Sequence, residues 1–181
     1  MSKTALILVD IQNDYFTGGK WPVDGMARAA DNAARVLTKA RTDGTKVVHI
    51  RHEIPVQDAP FFEPGTSGAD IHAAVAPIGD EPVITKFFPN SFRDTPLLQQ
   101  LRDDNVTAVV IIGAMSQMCI QGTARAACDF GFDVQVVHDA CAARAVTFEQ
   151  VDVPAAQVHA AMMGALSGTY AEMVSTDSFC A

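Results

Sequence analysis

Positive charge is scarce in this chain: 13 lysines and arginines stand against 21 aspartates and glutamates in 181 residues, a formal net charge of −8. A nucleic-acid binder carries a basic face, and no lysine/arginine cluster occurs here, so no nucleic-acid or anionic-membrane partner is expected. Long apolar runs are missing too. "TALILV", residues 4–9, falls far short of the roughly 20 apolar residues of a membrane span. It meets Asp10, Asn13 and Asp14 at once, so no secretory leader is expected, and the expected location is cytoplasmic. Cysteine is confined to Cys119, Cys128, Cys141 and Cys180, with no C-x-x-C pair and no histidine at zinc-finger spacing. Four free thiols are the expectation. No internal repeat, low-complexity tract or interdomain linker is found.

What is present is an ordinary globular composition, 49% hydrophobic and 19% charged, at a length that suits one domain over residues 1–181. Short apolar runs alternate with helical patterns. Strands are expected at 4–10, 46–51, 82–86, 106–112, 133–137 and 171–174, and helices at 26–43, 94–103, 116–130 and 150–166. The runs at 4–9 and 106–112 are apolar without alternation, as in strands covered on both faces. The pattern predicts an α/β three-layer sandwich around a parallel sheet. Residues 53–81 are rich in proline, glycine and acids and read as a long excursion, a place where function often sits.

In an open α/β sheet, ligands bind beyond the carboxyl ends of the strands. The first strand ends at Asp10, the second at Arg51, His52 and Glu53, the third at Lys86, and the fourth leads through Gly113 towards Cys119. An acid, a base and a thiol thus converge on one rim, although Asp10 and Lys86 are 76 residues apart and Lys86 and Cys119 33. A helix start and a nearby lysine favour the thiolate of Cys119. Asp10 is placed to take and return the thiol proton, and the turn amides at 115–119 to hold an oxyanion. Taken singly, each residue has a plainer reading: a packed cysteine, a capping aspartate, a solvated lysine at the rim. Together they make a reactive constellation. Cys128, nine residues on, faces the opposite side of the helix. "GAMSQ" is not a serine nucleophile elbow, since Ala114 and Met118 stand where glycines belong.

"LILVDIQNDYFTGG", "ITKFFPNSF" and "GAMSQMCIQGTARAACDFGFDVQVVHDACAAR" resemble, in this order, the isochorismatase-like cysteine hydrolases, and the likeness runs through most of the chain. The resemblance implies a six-stranded parallel sheet in order 3-2-1-4-5-6 and a catalytic Asp10, Lys86 and Cys119. It implies a cis Ala114–Met115 peptide and an oxyanion hole from the backbone N–H groups of Met115 and Cys119. Tyr15 is implied as a pocket aromatic; His52 and Phe92 are expected beside it. A homo-oligomer, dimer or larger, acting on a small-molecule substrate without a cofactor is also implied.

Nicotinamidases of this family carry an Asp-x-His metal motif near the second strand; "HIRHEIPVQDAP" has none, so no metal is expected and nicotinamide is not the expected substrate. His52 is expected to be a hydrogen-bonding wall, and His72, His138 and His159 structural. The leading function is hydrolysis of a small amide, carbamoyl or related C–N bond through a thioester. The alternatives are vinyl-ether cleavage of the isochorismatase type, with Arg51 and Arg93 as candidate cations, and a non-catalytic binding protein.

Overall fold

The computed structural model describes residues 3–181. Six strands, β1 (Thr4–Val9), β2 (Lys46–His52), β3 (Val83–Lys86), β4 (Ala108–Ala114), β5 (Asp133–Ala142) and β8 (Glu172–Val174), form one parallel sheet in the order β3-β2-β1-β4-β5-β8. Helices α1 (Met26–Thr42) and α5 (Thr176–Cys180) cover one face. Helices α2 (Leu97–Asp103), α3 (Gln121–Asp129) and α4 (Ala155–Leu166) cover the other. β1 shows why its sequence does not alternate. Ala5, Ile7 and Val9 point into one apolar layer and Leu6 and Leu8 into the other, all buried. Among the described residues, no helix is long and apolar enough to cross a membrane.

The strand order expected from the resemblance holds except for its last member, which is eighth in chain order. A two-stranded antiparallel hairpin, β6 (Val146–Phe148) and β7 (Val151–Val153), lies between β5 and α4. The helix expected from 150 therefore begins only at Ala155, after Pro154. Glu149 and Gln150 turn the hairpin with φ of 48° and 74°, a conformation those residue types do not advertise. α5 was not anticipated: it is five residues long and is capped by Ser175, whose Oγ accepts from the N–H of Ser178. The helix expected at 116–130 starts as a π-turn over Ser116–Ile120.

Two local features set the sheet's carboxyl edge. Gly113 has φ of 125°, and a Cβ there would lie 1.9 Å from the carbonyl oxygen of Val9, so the β1 and β4 ends meet as closely as they do only because residue 113 is glycine. Near the amino end of β3, the Glu81 carboxylate takes two hydrogen bonds from Arg41, at 2.8 Å each, one from the N–H of Ile78 and a contact from His49 Nε2. Arg41 first, and then the Ile78 amide and His49, outweigh burial and lower the Glu81 pKa from 4.5 to about 2. Its stabilising effect is thus present above the unfolded pKa and is lost as pH falls from about 4.5 towards 2. Glu81→Gln should cost about 1–2 kcal/mol at neutral pH, after allowance for solvent screening. In denaturant melts from neutral pH down to pH 2, that difference should shrink towards zero below pH 4. A constant difference would show that Glu81 is not a charged clasp.

Candidate active site

Asp10 follows the last residue of β1, with φ of 53°, and its N–H donates to the carbonyl of Ile50 on β2. That bend aims its side chain across the sheet edge. Lys86, the last residue of β3, answers it: Nζ lies 2.8 Å from Asp10 Oδ2, and both side chains are 0% exposed. Nζ also donates to the carbonyls of Phe88 and Pro89, each at 3.1 Å, and sits 3.3 Å from His52 Nδ1. The expected rim lysine is therefore wholly buried, wrapped by the chain that follows its own strand. The Asp10–Lys86 contact is thus a fully buried ion pair at hydrogen-bonding distance.

Cys119 reaches the same place from the π-turn, just after the Ala114–Met115 peptide, which is cis as the resemblance implies. Its Sγ lies 3.9 Å from His52 Nδ1 and within hydrogen-bonding reach of Asp10 and Lys86. The electrostatics correct the expectation of a resting thiolate. Burial, and next the Asp10 charge, raise the Cys119 pKa far above the ordinary thiol range, and Lys86 only partly offsets them. Burial also pulls Asp10 upward, but Lys86 and His52 more than reverse this, leaving its pKa below the usual value. Burial pushes Lys86 down, and the Asp10 charge more than restores it. The resting site is a neutral thiol beside a charged, self-compensating pair.

His52 stands at the centre of this group, with Nδ1 3.7 Å from Asp10 Oδ2. Two buried residues that sequence reasoning passed over fix this arrangement. Gln12 Nε2 donates to the carbonyls of His52 and Ala69, and its Oε1 accepts from the His52 N–H, all at 2.8 Å. Asp14 accepts from the N–H of Phe62 and of Lys20. Both tie residues 53–81 down over the site. The signal was "DIQNDY" itself: polar side chains directly after an apolar strand, where they must be paired.

The excursion delivers Phe61 and Phe62. Phe62 packs on Tyr15, centroids 4.5 Å apart, and faces His52 at 6.1 Å. Tyr15 is buried close to Asp10 and Cys119; burial, then the negative character of those neighbours, raises its pKa well above 10. Phe92, expected beside the pocket, has its ring edge-on to Phe130 and parallel to Phe132, in the apolar layer beneath α3. Arg51 is held by Thr85 and Glu53, and Arg93 lies over the Phe88 ring. His72 stacks on Phe16, as a structural histidine does, whereas His159 hydrogen-bonds to Ser116.

Asp10, His52 and Cys119 offer three metal-ligating atoms within 4.8 Å of one another. They nevertheless fit a metal poorly. The Lys86 ammonium, 2.8 Å from Asp10 and 3.3 Å from His52 Nδ1, puts a fixed positive charge among these atoms.

Thiol, acid and lysine at the carboxyl edge of a 3-2-1-4-5-8 sheet are the setting in which the comparisons with known proteins belong. The isochorismatase family profile, described as "Isochorismatase domain", matches residues 4–178, and the chain belongs to this family of hydrolases. An uncharacterized isochorismatase family protein of Bacillus subtilis, YddQ, is 44% identical over 97% of this chain and 98% of its own length. The crystal structure of an Oleispira antarctica protein ascribed to the isochorismatase hydrolases superposes with a TM-score of 0.95 at 49% identity, over 99% of this chain and 96% of that one. Maleamate amidohydrolase of Pseudomonas putida is 33% identical over 76% of this chain and 71% of its own length.

The charges around the thiol predict opposite effects of two substitutions. Asp10→Asn removes the anion that opposes ionisation and should lower the Cys119 pKa; Lys86→Met should raise it. Lys86→Met also strands a buried carboxylate and should cost about 3–5 kcal/mol, far more than loss of a solvated lysine. Alkylation rate against pH by a small neutral reagent, with thermal melts alongside, reads both effects. Shifts of the same sign, or a thermally silent Lys86→Met, would contradict this picture of the site.

Proposed function

We propose that this protein hydrolyses the C–N bond of a small amide, carbamoyl group or related imide, with Cys119 as nucleophile. The observation that carries this reading is the closed group of Cys119, Asp10 and Lys86, with a charged Asp10 carboxylate beside the thiol. A buried carboxylate beside a thiol is placed to accept its proton. The 33% identity to maleamate amidohydrolase lends support from a relative whose name declares an amide substrate.

The resting proton stays on sulfur, so ionisation is coupled to attack. As Sγ bonds to the carbonyl carbon, its proton passes to Asp10. The developing oxyanion lies against the N–H groups of Met115 and Cys119, which supply hydrogen bonds worth most when water is excluded. Asp10 then protonates the leaving nitrogen, the C–N bond breaks, and ammonia or an amine departs from the thioester. Water attacks the thioester and gives a proton to Asp10. The C–S bond breaks, and the thiol recovers that proton. Lys86 keeps Asp10 anionic between steps and holds its charge in place, while Tyr15 and Phe62 close the site to bulk water. No step requires a metal.

Vinyl-ether cleavage of a dianion needs free cations in the pocket. Arg51 is engaged by Thr85 and Glu53, and Arg93 lies over the Phe88 ring, contacts that weigh against that reading. A binding protein without catalysis would gain little stability from a buried ion pair beside a thiol.

The test is release of ammonia from a panel of small amides and carbamoyl compounds, maleamate included, with pyruvate release from isochorismate measured in parallel. Turnover with at least one amide is expected, falling by about three orders of magnitude or more in Cys119→Ser. Exhaustive chelation should leave the rate unchanged. Pyruvate without ammonia would favour the vinyl-ether reading, and an undiminished Cys119→Ser would remove the proposed nucleophile.

A further inference from the structure

The β6–β7 hairpin is amphipathic. Val146 faces Val153 across it and Phe148 faces Val151, while Thr147 faces Asp152. Side chains of directly paired residues share one side, so the four apolar residues form one face and Thr147 and Asp152 the other. The polar face is complete in itself, with the Thr147 hydroxyl donating to Asp152 Oδ1 at 2.6 Å. The apolar face is bare. Phe148 is 74% exposed, Val151 61% and Val146 38%, and none of the four belongs to either apolar layer of the fold. The hairpin is also a sheet of its own, with no strand of the main sheet beside it. Two strands alone are marginal in water, and an uncovered apolar face adds to that weakness.

The helix that follows continues this surface. Pro154 alone separates β7 from α4, whose outward positions are Ala156, Gln157, Ala160, Ala161, Gly164 and Ala165, all exposed. A surface helix ordinarily carries charge on that side. Here residues 153–171 hold no aspartate, glutamate, lysine or arginine, in a chain that is 19% charged. Small residues along one helix face let a second helix approach closely.

We propose that the apolar face of the hairpin and the outer face of α4 form a two-fold interface with a second copy of this chain. The charge pattern selects that partner. A two-fold contact sets a surface against itself, so a charge near the axis meets its like. A self-pairing surface therefore has to be neutral, above all in a protein whose net charge is −8. A strongly basic or acidic partner would find no charge to pair with along α4. An anionic membrane would meet Glu149 and Asp152, with no lysine or arginine after Arg144. The area suffices as well. The hairpin side chains expose about 300 Å². The outer half of α4, about 18 Å long and about 10 Å across, adds about as much again. With the residues around them this approaches the roughly 800 Å² per partner of a stable interface. The inference is independent of the C–N hydrolase reading, yet it bears on the same site. The inward side of α4 holds the catalytic turn, where His159 hydrogen-bonds to Ser116 and the Met162 carbonyl accepts from Gln121. A second copy on the outward side would brace that helix.

Sedimentation equilibrium of the purified chain tests the interface without any knowledge of the substrate. A dimer with a Kd of about 10 µM or tighter is expected. Two variants on separate elements read the surface. One combines Phe148→Ser and Val151→Ser on the hairpin; the other, Ala161→Glu, places a carboxylate on each facing helix. Each should weaken association by at least about tenfold and keep the wild-type circular dichroism spectrum, since all three positions are exposed. In hydrogen exchange, the hairpin amides of the wild type should gain protection as concentration rises through the Kd. A wild type that stays monomeric at about 100 µM, or a dimer that either variant leaves unchanged, would overturn the proposal.

Discussion

The structure is organised around one ion pair. Asp10 and Lys86 lie 2.8 Å apart with no exposure to solvent, at the ends of strands separated in the sheet by β2. Burying two charges costs several kcal/mol each before their attraction is counted, and a well-packed apolar pair would serve stability as well or better. The surrounding chain has been shaped to keep the pair. Residues 87–89 fold back to offer Lys86 two carbonyls. Gly113 lets β4 approach Val9 closely beside Asp10. Gln12 and Asp14 pin the 53–81 excursion across the top. So much structure spent on a pair of doubtful worth to stability points to chemistry as its reason.

The pair explains why the thiol can rest in its neutral form. Asp10 and Lys86 cancel one another, so Cys119 sees a buried dipole of two charges rather than a free cation, and low polarity keeps its proton in place. A thiol held this way is protected from adventitious oxidation, which proceeds through the thiolate. In the proposed reaction, the sulfur ionises only as it attacks a carbonyl whose oxygen meets the amides of Met115 and Cys119. Under that proposal, the same burial that raises the thiol pKa would strengthen those hydrogen bonds.

Much of this was legible in the sequence because it rests on short-range signals. "TALILV" and "AVVII" are apolar without alternation, and they are the two central strands. Reactive residues at strand ends are brought together by sheet topology alone, so Asp10, Lys86 and Cys119 were found without any contact information. What escaped depends on three-dimensional surroundings. Nothing local to "VITKFF" says that Lys86 is engulfed, because its partners are carbonyls from a loop whose path the tertiary fold decides. The direction of the thiol shift follows from that burial and was missed with it. The β6–β7 hairpin turns at Glu149 and Gln150, which give no turn signal, and its strands are three residues long. Phe62 reaches the site from a segment without periodicity, and Phe92 points its ring to Phe130 and Phe132 although its neighbours in sequence wrap the lysine.

The central claim is that Cys119 becomes covalently acylated during C–N hydrolysis. Acid quench of the enzyme during steady-state turnover of an amide, followed by mass spectrometry of its peptides, tests this directly. The account predicts an acyl group of the substrate's own mass on the peptide containing Cys119, labile to hydroxylamine and absent from Cys119→Ala. Turnover that proceeds in Cys119→Ala, or an acyl group found on another residue, would contradict it.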